Sequence, residues 1–494
     1  MSRDYSTYFC RMKWRIALLL PFLLFTGRAF SQSADNNRVW TLQYSVHYAL
    51  EHNISIKQNE LNARLAKLQL QQTRLSQLPN INTSAAYGRS FGRSVDPTTN
   101  QFVNSNYDFL SISGSADVLL FGWFQKRNSI HASGYALEAA KADLDQLKDD
   151  VSLNVATGYL RAILAREQIK ISEKQVALSA AQLDQTRRFV TAGRLPELSA
   201  LQLEAQLAND SATLINNIAS YNSTILDIKA LLNLDFETPF AIEEPEVTVA
   251  DQVFLDQMSA EYVYEEALKH FGTIKSSEMN LLAARKRAAA AKAALYPQLG
   301  LNAQSGTNYA STYSEMKSVS FGGYKPNGTI AIDSFTGRSL PVYQPVMHYE
   351  TQRIPVDKQL SNNFRQTISL AVNIPIFNAW QARYNVKQTK INVLTQELNK
   401  EQAQLNLKQN VYKAYNDAIN ALQKFYAAQR AVVSSQQAFS FAQKRYELGL
   451  TNTVEYLTTQ NTQFVSESNL QSAKYDLIFK LKVIDYYLGK ELKL

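Results

Sequence analysis

The chain has 494 residues and a net charge of +8 at pH 7, and it is poor in glycine (17) and proline (12). Residues 1–31 hold five Lys/Arg and one acidic residue, which leaves only +4 for the rest, too little and too scattered to indicate nucleic-acid binding. The only cysteine, Cys10, lies in the same segment, so residues 32–494 need no disulfide and are compatible with an oxidising compartment.

Residues 1–31 have the pattern of a secretory signal peptide. Arg11, Lys13 and Arg15 precede an apolar run of ten residues, and a small-x-small sequence ends at Ser31. The run is too short for a transmembrane helix, and no later segment has eighteen consecutive apolar residues. The chain is therefore predicted to be exported and to enter any membrane only as strands.

The first half begins with a predicted helix that Thr41 caps and that runs to about Leu78. In residues 81–88 and 110–120 the spacing of apolar residues changes from a helical period to a period of two. Apolar residues there alternate with Ser, Asn and Asp. Residues 89–106 are predicted to be a polar loop. Strands with one apolar and one hydroxylic face suit a barrel wall between lipid and water, and equally a half-buried strand of a soluble sheet.

A long helical hairpin is predicted to follow these strands. Its first helix runs from about Trp123 to Ala192 and stops at Gly193, and Pro196 lies at the start of the return helix. Residues 241–255, with Pro245 and several acids, are predicted to be a linker.

The second half repeats the pattern. Strands are predicted at residues 299–304 and 364–374, and residues 307–363 between them are predicted to be a long loop. Residues 376–494 lack proline and predict a hairpin that turns at Gly449, with a cap at Thr451 or Asn452. Its first arm of about 70 residues would be roughly 105 Å long.

Two gapless alignments indicate a tandem duplication. A shift of 256 places Tyr159 on Tyr415 and Gly193 on Gly449, and a shift of 218 aligns residues 49–88 with 267–306. We predict a first repeat at 32–240, the linker at 241–255 and a second repeat at 256–494. Because four strands cannot close a barrel or hide their edges, several chains must contribute strands.

The sequence contains no pattern typical of catalysis. The five histidines have no metal-ligand spacing, and neither a phosphate-binding loop nor a nucleophile elbow is found. The chain is predicted not to be an enzyme, with no cofactor and no metal. For His52 and His270, which occupy equivalent repeat positions, packing and metal binding both remain open.

The ordered set of elements resembles the outer membrane efflux protein (TolC) family. The resemblance lies in the doubled layout, the strand exits at Phe121 and Phe377, and the turns at Gly193 and Gly449. It implies a mainly α fold with a transmembrane β-barrel, in which a homotrimer shares a twelve-stranded barrel above a long periplasmic α-helical tunnel. It further implies an exit duct in the cell outer membrane that docks a periplasmic adaptor protein and an inner-membrane transporter for efflux. The alternatives are a type I protein-secretion duct and a secreted structural coiled-coil protein without a channel.

The resemblance also suggests sites. The residues at the two hairpin turns are expected to form the adaptor contact, although they could merely terminate helices: Gly193, Arg194, Leu195, Gly449, Leu450 and Thr451. Glu455 is the candidate lumen gate, as one member of an acidic ring, or it only favours the positive end of its helix. Residue 458, where the family commonly has a second acid, is threonine, and the first repeat has Ser199 in place of Glu455.

Aromatic residues at the strand exits are expected either to form an interfacial belt at the membrane surface or to pack as a core at the strand–helix junctions. They are Trp123, Phe124, Phe377 and Trp380.

Overall fold

The computed structural model describes residues 39–95, 101–104, 106–243 and 258–490. The predicted signal peptide and most of the predicted linker lie outside these residues.

Long helices dominate both halves of the described chain. The helices of the first half are α1 (Leu42–His52), α2 (Ile54–Leu75), α3 (Gln125–Thr191) and α4 (Glu197–Leu232). Those of the second half are α5 (Ala260–His270), α6 (Gly272–Ala293), α7 (Val356–Asn362), α8 (Gln381–Glu447) and α9 (Thr453–Tyr487). With 67 residues each, α3 and α8 are roughly 100 Å long at about 1.5 Å per residue.

The strands lie at one end of these helices, apart from one short pair. The first half contributes β1 (Val39–Trp40), β2 (Asn80–Ser90), β3 (Arg93–Val95), β4 (Phe102–Asn104), β5 (Tyr107–Phe121) and β6 (Ala241–Ile242). The second half contributes β7 (Gln298–Ala310), β8 (Ser314–Ile332), β9 (Ser339–Arg353) and β10 (Arg365–Asn373). The short parallel pair of β1 and β6 places the first residues of the predicted linker in a strand.

The helix bounds reproduce the two offsets, 218 and 256, at which the two halves of the sequence align. Helices α5 and α6 repeat α1 and α2 at an offset of 218, and α8 repeats α3 at an offset of 256, each with the same length. The caps correspond as well, because Thr41 accepts a hydrogen bond from the backbone of Tyr44 and Ser259 accepts one from Tyr262.

Equivalent tyrosines tie each long helix to the segment that precedes the first helix of its half. The Tyr159 hydroxyl donates to the carbonyl of Trp40 at 2.8 Å, and the Tyr415 hydroxyl donates to the carbonyl of Met258 at 2.6 Å. Tyr159 lies in a core to which α1, α2, α3, α4 and α9 contribute, and Tyr415 packs against a core to which α5, α6, α8 and α9 contribute.

The prediction of one helix from Thr41 to Leu78 is wrong, because the chain breaks at Asn53. Asn53 has extended backbone angles, and its side chain accepts from the backbone N–H groups of Ser55 at 2.9 Å and Ile56 at 3.3 Å. Its amide also donates to the Leu231 carbonyl in α4 at 3.2 Å. The cap and the tertiary contact therefore outweigh the intrinsic helix propensity at this position.

The prediction of a long loop at 307–363 is also wrong. Strand β7 continues to Ala310, β8 and β9 form a long antiparallel hairpin, and α7 follows. Proline and glycine made the sequence resemble a loop, but a two-stranded hairpin tolerates proline on its outer edges and absorbs register shifts as bulges. Likewise, the predicted loop at 89–106 contains the β3–β4 hairpin.

Helix α3 begins at Gln125, two residues after the predicted start at Trp123, and α8 begins at the equivalent residue, Gln381. Trp123 and Phe124 have φ of 50° and 62°, and the equivalent residues Ala379 and Trp380 have φ of 49° and 68°. Such left-handed backbone is unfavourable outside glycine by about 1–2 kcal/mol per residue, so surrounding packing must enforce this turn in both halves.

The main sheet has four antiparallel strands in the order β10-β7-β5-β2. Asn82, Ser115, Gln304 and Thr367 lie side by side in one cross-strand row, and the next row is Ile81, Ala116, Ala303 and Ile368 on the opposite face. The sheet therefore has one polar and one apolar face, as the alternation predicted. Strands β2 and β10 are its edges, and neither has a further partner among the described residues.

Within the described ranges, no helix contains an eighteen-residue stretch apolar enough to cross a bilayer.

Gly272, the first residue of α6, lies tightly against α3. A Cβ added to Gly272 would lie 2.5 Å from the Ala142 carbonyl oxygen and 2.8 Å from the Gln146 Cβ, whereas one added to Gly134 meets nothing within 4 Å. We expect Gly272→Ala to destabilise the protein by about 1–3 kcal/mol through overpacking. Gly134→Ala should stabilise α3 by about 0.5–1 kcal/mol. Thermal unfolding of the two variants in detergent checks this, and equal shifts in both would contradict the packing.

Candidate functional site: the two hairpin turns

The two hairpin turns, 192–196 and 448–452, are built alike. In each, a glycine with positive φ, 71° at Gly193 and 72° at Gly449, follows the last helical turn. The next residue donates its N–H back to the carbonyl five positions earlier, Arg194 to Phe189 and Leu450 to Arg445, both at 2.8 Å. This is the Schellman arrangement, which requires a left-handed residue and therefore favours glycine.

The turns expose both apolar and charged groups. Gly193, Arg194, Gly449 and Leu450 are exposed, whereas Leu195 and Thr451 are half-buried. The Leu450 side chain is 64% exposed, and the Arg194 guanidinium lies over the Phe189 ring at 4.8 Å. The predicted docking residues are thus divided between free surface and packing.

A buried cluster holds the two turns beside each other, and we call it the tip cluster. Its members are Leu183, Ala200, Leu203, Phe439, Tyr446 and Tyr456. Tyr446 stacks on Tyr456 with ring centroids 4.8 Å apart, and its hydroxyl shares a hydrogen bond with Thr186 of α3 at 3.2 Å. The tip cluster thus packs the two hairpin ends against each other.

A buried polar layer lies next to the tip cluster. The Asp210 carboxylate of α4 accepts hydrogen bonds from Ser179 at 2.5 Å and Gln206 at 2.9 Å. Gln460 of α9 donates to the same Ser179 hydroxyl at 3.3 Å, so three helices meet in this layer. Sequence reasoning missed it, although Asp210 occupies an apolar-stripe position three residues after Leu207.

Glu455 is paired within its own turn. One carboxylate oxygen lies 3.1 Å from Arg445 Nη1, and the Thr451 hydroxyl donates to the other oxygen. The Asn452 side chain accepts from the Glu455 N–H at 2.8 Å, which makes Asn452, rather than Thr451, the cap of α9. Both charged side chains remain about half exposed, at 54% for Arg445 and 49% for Glu455. Ser199, the counterpart of Glu455 in the first repeat, is buried.

The predicted belt residues lie at the opposite ends of α3 and α8. Trp123 donates its indole N–H to the Pro297 carbonyl at 2.8 Å and packs on Tyr296 with ring centroids 4.9 Å apart. Trp380 contacts Tyr384, and Phe377 is 86% exposed. In the single chain these aromatics therefore lie at least partly exposed at the strand–helix junctions, and an interfacial belt stays a prediction.

A sequence model of the family described as "Outer membrane efflux protein" matches residues 46–234 and 263–489. The chain belongs to this family. Among its relatives, TolC of Escherichia coli (strain K12) is 21% identical over 482 residues, covering 95% of this chain and 86% of TolC. Outer membrane protein OprJ of Pseudomonas aeruginosa is 24% identical over 439 residues, covering 86% and 79%.

A solved structure shares the fold of this chain. The outer-membrane channel OprN superposes with a TM-score of 0.71 at 19% identity, covering 91% of this chain and 90% of OprN. Outer membrane efflux proteins are trimeric outer-membrane channels that extend into the periplasm and work with adaptors and inner-membrane pumps. In the described part of this chain, no group of three or more His, Cys, Asp or Glu residues is placed to hold a metal ion.

The tip cluster gives a prediction about stability. The Tyr456 hydroxyl is buried without a hydrogen-bond partner among the described residues, and burial raises the pKa of its phenol. A buried unpaired hydroxyl costs about 1–3 kcal/mol, so Tyr456→Phe should leave stability unchanged or raise it.

Tyr446→Phe is the matched control. It removes the bond to Thr186 and should destabilise the tips by about 1 kcal/mol. Thermal unfolding of both variants checks the difference. Destabilisation by Tyr456→Phe equal to that of Tyr446→Phe would show that the hydroxyl has a partner.

Proposed function

We propose that this protein is the outer-membrane exit duct of a tripartite efflux system, a passive conduit from the periplasm to the exterior. The observation that carries this proposal is the main sheet, which has a polar face, an apolar face and two free edges and continues directly into helices of 67 residues. A lipid-facing surface, a wetted surface and a periplasmic extension are the parts that such a duct needs.

In the trimer of this family, the edge strand β10 of one copy would pair with β2 of the next. This pairing satisfies the backbone groups that both edges leave free, and three copies would close the sheet into the twelve-stranded barrel. We place the polar row of Asn82, Ser115, Gln304 and Thr367 toward the lumen and the row of Ile81 toward lipid. The two-repeat division at 32–240 and 256–494 accounts for the repeated strand pairs.

The hairpin turns would form the periplasmic end of the duct. They lie at the ends of α3 and α8 farthest from the sheet, and the tip cluster packs the two hairpin ends together. We propose that the exposed turn residues, above all Leu450 and Arg194, meet the adaptor. An energy-consuming step would belong to the inner-membrane partner.

Docking is tested by Leu450→Asp. A charge in place of a 64% exposed leucine should remove the apolar contact with the adaptor and abolish export of toxic compounds in cells. The chain should still reach the outer membrane as a trimer, because Leu450 is not a member of the tip cluster. Drug susceptibility and adaptor cross-linking measure this, and Leu450→Met is the conservative control. Normal export by a correctly assembled Leu450→Asp trimer would reject the contact.

The candidate gate at Glu455 gives a second test. Three copies of Glu455 around one opening would attract cations, but each is partly neutralised by Arg445 at 3.1 Å. In planar-bilayer recordings, Glu455→Gln should reduce cation selectivity and block by divalent cations. Arg445→Gln should do the opposite, since it leaves the carboxylates unpaired. If neither variant changes block or selectivity, Glu455 serves only the N-terminus of α9.

A further inference from the structure

The β8–β9 hairpin, residues 314–353, is far longer than the β3–β4 hairpin at the equivalent place in the first half, and we call it the ribbon. Its longer strand has 19 residues and spans roughly 60 Å at about 3.3 Å per residue. It follows β7 and precedes β10, so it contains the extra residues by which the second repeat exceeds the first.

The base of the ribbon is fixed to the main sheet. Gln359 of α7 is buried, donates to the Ile354 carbonyl at 2.8 Å and accepts from the Ala310 N–H at 3.1 Å. Lys358 pairs with Glu315 at 2.8 Å. These bonds hold the ribbon in a defined position on β7.

One face of the ribbon is apolar. The strand register places these six residues on that face in its basal half: Met316, Val319, Phe321, Tyr324, Met347 and Tyr349. All six are exposed, from 44% at Met347 to 68% at Tyr324. The opposite face in the same half carries polar groups, including Ser320, Gln344 and Glu350.

Nothing within the described chain covers this face. Among the described elements, β8 and β9 pack extensively only against each other. An isolated two-stranded ribbon is marginally stable in water, and a contiguous apolar surface of this kind marks an interaction site.

The position of the ribbon indicates its partner. The ribbon follows β7 in the chain, and β7 pairs with β10. Strand β10 is the edge of the sheet with which β2 of an adjacent copy would pair. The ends of β2 and β7 lie at the same end of the sheet, since Ser90 pairs with Tyr107, and Phe109 pairs with Ala310. The adjacent copy would therefore bring its β3–β4 hairpin, which includes Phe102, and the preceding Phe91 to the base of the ribbon, and both phenylalanines are 72% exposed.

We propose that the apolar face of the ribbon docks on an adjacent copy of this chain, against that copy's β3–β4 hairpin and that copy's ribbon. The three ribbons then form a collar beyond the end of the main sheet. This inference rests on the trimer of the proposed function.

Site-specific photo-cross-linking tests it. The photoreactive amino acid p-benzoylphenylalanine replaces Phe321 on the apolar face or, as the matched control, the neighbouring Ser320 on the polar face, in the full-length protein in cells. Irradiation should link the Phe321 variant to a second copy of this chain, identified by mass spectrometry, with a yield at least five-fold above the Ser320 variant. Replacement of Tyr349 provides a second apolar-face position should the first variant fail to assemble.

Each other outcome overturns the docking. Cross-links from Phe321 and Tyr349 to lipid, to lipopolysaccharide or to another protein would assign the face to that partner, and equal yields from both faces would show that it is free. Size-exclusion chromatography of the same samples separates the two claims. A trimer without the cross-link rejects the collar alone, whereas the absence of any trimer rejects the proposed function.

Discussion

The unpaired edges of the main sheet are the constraint on which this structure depends. Strands β2 and β10 each present a row of backbone N–H and C=O groups without partners in the described chain, beside a face rich in apolar side chains. Such edges lead to aggregation unless they are paired or covered, and in a bilayer each unpaired group costs several kcal/mol. Association of identical chains resolves the constraint, and the trimeric assembly of the family supplies that association.

The duplication provides the rest of the architecture. Each repeat delivers a pair of strands to the sheet and a helical hairpin to the opposite end, and Tyr159 and Tyr415 fasten the middle of each long helix to its own N-terminal segment. The repeats differ where function can differ. Only the second carries the ribbon, and Glu455 is half exposed at one turn whereas Ser199 is buried at the other.

Much of the fold could be predicted because its signals are local. Long proline-free runs, helical periodicity and glycine at the turns gave both hairpins to within a few residues, and alternation gave the two faces of the main sheet. The break at Asn53 was missed because a contact with Leu231, distant in sequence, decides it. The ribbon was missed because its four glycines and three prolines are typical of a loop. At the turns, the pairing of Arg445 with Glu455 and of Tyr446 with Thr186 joins residues brought together only by folding.

Electron microscopy of the detergent-extracted protein tests the central claim, that the sheet edges are closed by copies of the same chain. We expect a particle with three-fold symmetry in which β10 of each copy pairs with β2 of the next, above a helical tube that ends at Gly193 and Gly449. A monomer, or an assembly in which these two edges remain unpaired, would contradict it.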